Sequence, residues 1–185
     1  MAQQATPSPV DLYEAAVNLT LKVMEGIQPQ QRWDPTPCTD WNVQAVMDHL
    51  LGGTASAIAN LSGQERKAPR GEADAEEFAI ATAQVLELAK TPGVMEKTIT
   101  TSRGETMGGQ LLMGSFMDVL IHGWDLAKGT GQDTTLPADL VDVLYGIWEA
   151  RLDKSRAGGA FGSHVEVHDD ASQQDKLLGV FGRKA

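Results

Sequence analysis

Asp118, His122 and Asp125 stand in the segment Met117-Asp-Val-Leu-Ile-His-Gly-Trp-Asp-Leu126, at intervals of four and then three residues. In an α-helix that spacing puts all three on one face. Their neighbours Leu111, Leu112, Phe116, Val119, Leu120, Ile121 and Leu126 make the segment apolar nearly all round, which is the pattern of a buried helix. Buried carboxylates and imidazoles demand partners, because an unpaired charge in a core is costly. A divalent cation would satisfy every group on the stripe, whereas a structural hydrogen bond would satisfy only a pair. His49, in Val46-Met-Asp-His-Leu-Leu51, has apolar flanks of the same character and is the natural third ligand. Taken alone it reads more readily as a core histidine bonded to backbone or carboxylate.

The remaining candidates are few, since the chain has four histidines and one cysteine. His164, Glu166 and His168 alternate, so in an extended segment they share a face. Gly162-Ser163 before them and Asp169-Asp170 after them mark a solvated edge rather than a second site. Cys38 has no histidine near it in sequence, and a small buried residue in a structured loop describes it better than a nucleophile. A single cysteine excludes an internal disulfide and a zinc cluster made of thiolates. Trp41 and Trp124 both border the proposed site and read as core residues that wall it.

Helical elements must carry these groups. Leu12, Ala15, Ala16, Leu19, Val23 and Ile27 recur at helical spacing over Val10 to Ile27. After the turn-rich Pro35 to Trp41, Asp40 is the expected N-cap of a second helix over Asn42 to Leu61. A third helix is predicted over Ala75 to Lys90, ended by Thr91-Pro92-Gly93. Val94 to Thr101, with β-branched Thr98-Ile99-Thr100-Thr101, suggests a short hairpin turning at Arg103-Gly104-Glu105. The stripe helix runs from Met107 or Gly109 to Lys128, and Pro137 opens a fifth helix to about Arg156. An extended piece at His164 to Val167 and a short helix near Ala171 to Val180 complete the tail. The sum is mainly all-α, a helical bundle with short irregular or β additions.

Length and charge bound the rest. At 185 residues the chain is expected to form one domain over 1–185, with a flexible leader at 1–9 and a C-terminal extension at 158–185. Asp and Glu total 25 against 15 Lys and Arg, a net charge of -10 that offers no basic footprint to nucleic acid or an anionic bilayer. No apolar run is long enough to span a membrane and no secretory signal pattern precedes the first helix, so a cytoplasmic protein is expected.

Pro37-Cys-Thr-Asp-Trp-Asn-Val43 followed by His49, then Asp118-x-x-x-His122-Gly-Trp-Asp-Leu-Ala127 with Thr130-Gly-Gln132, resembles the actinobacterial metal-binding proteins of the DinB-like superfamily related to mycothiol-dependent maleylpyruvate isomerase. The tail, from Phe161-Gly162 through Asp169-Asp-Ala-Ser172 to Gly182-Arg183, resembles them too. The resemblance implies a DinB-like four-helix bundle holding one divalent metal through His49, Asp118 and His122. It also implies a low-molecular-weight thiol such as mycothiol as cosubstrate. The related isomerases generally carry Glu where Asp118 stands. Three protein ligands leave a coordination position open, as in catalytic rather than structural zinc sites. Zinc suits two imidazoles and a carboxylate, and nickel or iron would also fit. Asp125, one turn beyond His122, would accept the second ring N–H of that histidine or serve as an acid-base group, or else bond internally to the neighbouring loop. The expected protein is a thiol-dependent transferase or isomerase acting on a small molecule, with a homodimer left open. Its rival is a non-catalytic metal- or small-ligand-binding module of the same fold.

Overall fold

The computed structural model describes residues 7–69, 71–101, 104–149 and 165–184. Helix α1 (Pro9–Gly26) begins where Ser8 accepts the Asp11 N–H while the Asp11 carboxylate accepts the Ser8 N–H and hydroxyl. Pro9, whose missing N–H costs nothing at a first helical position, opens it. The end of the leader is therefore already helix cap. After a 3-10 turn at Pro29–Trp33 comes α2 (Val43–Ser62).

The N-cap of α2 is Asn42, not Asp40. The Asn42 side chain accepts the Ala45 N–H at 2.9 Å. The Trp41 N–H closes a turn on the Cys38 carbonyl at 2.8 Å, which places Asp40 within that turn and ahead of the helix start. Gly63, at φ 72°, ends α2 in the left-handed region. Helix α3 (Ala75–Ala89) is capped by Asp74. The hairpin follows as β1 (Thr98–Thr101) and β2 (Gly104–Met107), antiparallel, with Thr98 opposite Met107 and Thr101 opposite Gly104. Gly104 is already in strand, and the residues between the strands lie outside the described ones.

Helix α4 (Gly108–Gly129) is the spine of the molecule. It packs on α1 and α2, which both also pack on α3, so four helices close a ring in the order α1–α3–α2–α4. Inside the ring lie Tyr13, Val46, Leu50, Phe78, Leu112, Phe116, Leu120 and Leu126, all essentially inaccessible. Each buried leucine or phenylalanine contributes roughly 1.5–3 kcal/mol relative to exposure. Gly123 permits the close approach of α1, because a Cβ there would collide with Thr20 Oγ1. The Thr20 hydroxyl donates to the Val119 carbonyl at 3.0 Å across the same seam.

Helix α5 (Ala138–Glu149) packs against α6 (Gln173–Val180), which Ser172 caps. The expected continuation of α5 to Arg156 lies outside the described residues. Leu177, Leu178 and Phe181 are buried, fastening the tail to the core. The fold is mainly α, a DinB-like helical bundle with a two-stranded addition. No helix among the described residues is long and apolar enough to cross a membrane.

Candidate metal centre

The two helices expected to carry the site face each other across it. From α2, His49 places Nε2 3.2 Å from Asp118 Oδ2 and 3.3 Å from Oδ1. From α4, His122 places Nε2 3.7 Å from Asp118 Oδ1. The imidazole centroids are 4.8 Å apart, edge to face. His122 is buried, while about a third of the His49 and Asp118 side chains is exposed, so the cluster has a closed back and an open front. Trp41 walls it, with its ring 4.6 Å from that of His49 and 5.5 Å from that of His122. The Thr36 hydroxyl, donating to the Trp41 carbonyl at 2.8 Å, holds that wall in place.

Asp125 lies behind His122 and is fully buried. Its Oδ2 accepts from His122 Nδ1 at 2.9 Å, one of the alternatives the sequence leaves open for this residue. A second partner was not legible there. Arg183, just beyond α6, donates Nη2 to Oδ2 at 2.7 Å and Nε to Oδ1 at 3.1 Å. Burial alone would raise the Asp125 pKa. The hydrogen bonds from His122 and Arg183, with the Arg183 charge, outweigh it and hold the carboxyl below its ordinary value. Burial correspondingly pulls on the guanidinium, yet Asp125 keeps the Arg183 pKa above its usual value.

Cys38 also comes to this place, which its isolation in sequence did not indicate. Its sulfur, a His122 ring nitrogen and an Asp125 oxygen lie within 4.8 Å of one another, and the same holds for donor atoms of His49, Asp118 and His122. The two sets share His122 but are not equivalent. Both Asp125 oxygens are already engaged by Arg183, so a cation held by Cys38 and Asp125 would have to displace an ion pair. Burial also pushes the Cys38 thiol pKa up, with Arg183 pulling the other way, which disfavours a thiolate ligand.

The His49, Asp118 and His122 atoms fit an ion better. Ligands about 2.1 Å from a tetrahedral metal stand about 3.4 Å from each other. Measured to the single oxygen Asp118 Oδ1, the separations of 3.3 Å from His49 Nε2 and 3.7 Å from His122 Nε2 bracket that spacing.

The lower-ranked residues fall elsewhere. His168 pairs with Asp170 in solvent, and Glu166 is exposed on the same segment. His164 lies outside the described residues. Trp124 is core, but it lines a separate cavity of about 160 Å³ with Leu19, Thr20 and Val23 of α1. A larger cavity of about 650 Å³, lined by Met95, Met107, Met113, Gly114 and Met117 together with α5, reaches the turn of α4 just before Asp118.

The half-buried His–carboxylate cluster thus lies between two helices of a mainly α bundle, the architecture expected of a DinB-like protein. Residues 13–127 match the mycothiol maleylpyruvate isomerase N-terminal domain, and the chain belongs to that family. Two uncharacterized proteins of Mycobacterium tuberculosis, one from strain CDC 1551 / Oshkosh and one from strain ATCC 25618 / H37Rv, are each 30% identical to it over 136 residues. The aligned part covers 71% of this chain and 72% of each relative. No solved structure gives a significant match.

Proposed function

We propose that His49, Asp118 and His122 hold one divalent metal, zinc by the chemistry of the ligand set, and that the protein is a thiol-dependent transferase or isomerase using mycothiol or a similar small thiol. One observation carries the metal. His122 Nδ1 lies 2.9 Å from an Asp125 carboxylate oxygen, an acceptor that calls for a ring proton on Nδ1. With one proton, on Nδ1, the ring turns an Nε2 lone pair toward Asp118 Oδ1 at 3.7 Å. Two lone pairs facing each other in a half-buried place call for positive charge between them. A metal would supply that charge to His122 and take the place of the His49 Nε2–Asp118 contact at the same time.

The family supports the thiol, and the open front of the cluster gives it access. In such a site a divalent ion stabilises a bound thiolate over the thiol near neutral pH. The chain's own groups do the remainder. Asp125 holds the His122 tautomer, and Trp41 screens the imidazoles from water.

Cobalt substitution tests this reading. The resting protein should lack a sulfur-to-cobalt charge-transfer band, and mycothiol or a simple analogue should induce one near neutral pH. A spectrum unchanged by any thiol would overturn the thiol-dependent reaction and leave a metal-binding module. A band present before thiol is added would instead make Cys38 a ligand.

A further inference from the structure

The residues that match the family end at 127, yet the carboxylate behind His122 is completed by a side chain from far outside them. Arg183 reaches Asp125 because of how α6 stops. Gly182 adopts φ 79°, the left-handed conformation a helix uses to reverse, and its N–H donates to the Gly179 carbonyl at 3.0 Å. The Arg183 N–H then donates to the Leu178 carbonyl at 2.9 Å, so the chain turns back on its own last turn. Leu177, Leu178 and Phe181, all buried, fix that turn against the core. The guanidinium is held at three of its nitrogens: Nε and Nη2 fork onto the two Asp125 oxygens, and Nη1 donates to the Phe181 carbonyl at 2.6 Å.

This arrangement does more than neutralise a buried acid. A carboxylate gripped by a planar fork cannot rotate about its last bond without losing two charge-assisted bonds. Its Oδ2 therefore stays where it accepts from His122 Nδ1. Without the fork, Asp125 would be free to turn, and His122 could place its own proton on either nitrogen.

We propose that Arg183 is a positioning residue of the site: through Asp125 it fixes His122 as the Nδ1–H tautomer, leaving Nε2 unprotonated toward Asp118 and His49. The use made of Nε2 rests on the metal reading above, but the tautomer itself does not. The C-terminal segment thus acts on the site through Asp125.

Two measurements on the full-length protein test it. In metal-free, ¹⁵N-histidine-labelled protein at a pH where the ring is neutral, His122 should show a protonated Nδ1 and an unprotonated Nε2. Arg183→Ala should mix the tautomers, and Arg183→Lys, which keeps the charge but not the fork, should fall between. In zinc competition with a chromophoric chelator, Arg183→Ala and Asp125→Asn should each weaken binding by about 10- to 100-fold. The double variant should be no weaker than the poorer single one, because both changes break one chain of contacts. Circular dichroism establishes folding, and Arg183→Lys carries the comparison if Arg183→Ala does not fold. A folded Arg183 variant with the wild-type tautomer and zinc affinity, or independent multiplying effects with Asp125→Asn, would overturn the proposal. Should the wild type bind no zinc, the metal reading fails and the tautomer measurement alone decides the role of Arg183.

Discussion

His122 and His168 both engage a carboxylate through Nδ1, Asp125 in one case and Asp170 in the other. Their surroundings separate them. His122 sits on a helix packed on two sides, its carboxylate has no exposure, and an arginine grips that carboxylate from behind. His168 and Asp170 lie on an irregular segment before α6, with side chains 84% and 83% exposed. Water screens and competes for the second pair, so neither tautomer nor geometry is fixed by it. The same two residue types make a site only where a rigid, dry framework spends packing energy on holding them.

The sharpest way to break this comparison is to remove a proposed ligand from the helix cluster. His122→Ala should abolish specific metal binding, while His168→Ala should leave it unchanged; isothermal titration with zinc after chelator treatment measures both. Equal losses in the two variants would mean that the exposed pair binds as well as the buried one. Asp125→Asn keeps the shape behind His122 but loses the charge that orients it. It should lower metal affinity by about 10- to 100-fold without unfolding the bundle, as equilibrium dialysis beside circular dichroism would report.

Legibility in the sequence followed the same division. The convergence of His49, Asp118 and His122 was legible because apolar flanks at helical spacing announce packed helices, and polar groups on such helices stand out against them. The hairpin was readable from its run of β-branched residues. The cap of α2 was misplaced by two residues because Asp40 and Asn42 are both good caps. Only the turn from Cys38 to Trp41 decides between them. Cys38 and Arg183 reach the site through tertiary packing, which no periodicity encodes. The local sign at Arg183 is Gly182 following an apolar run, which marks where a helix reverses but not what the next side chain meets. Trp124 shares a segment with the ligands, and helical rotation points it at a different cavity.

A smaller effect sharpens the contrast from the packing side. Leu178, fully buried, anchors the turn that presents Arg183. Leu178→Ala should cost about 2–5 kcal/mol of stability in urea unfolding and loosen Asp125 toward the condition of Asp170. Metal affinity should fall in the same variant, but by less than in Asp125→Asn, because the Arg183 fork is displaced only part of the time. Full stability in Leu178→Ala would mean that the tail is not fastened as described.

The central claim, that helices α2 and α4 build one metal centre, is tested most directly by the metal content of purified protein after zinc loading and desalting, measured by elemental mass spectrometry. The account predicts about one divalent ion per chain in the wild type and in a His164→Ala, His168→Ala double variant, and essentially none in His49→Ala, Asp118→Ala or His122→Ala. Full metal content in the His49 or His122 variant, or none in the wild type, would contradict it.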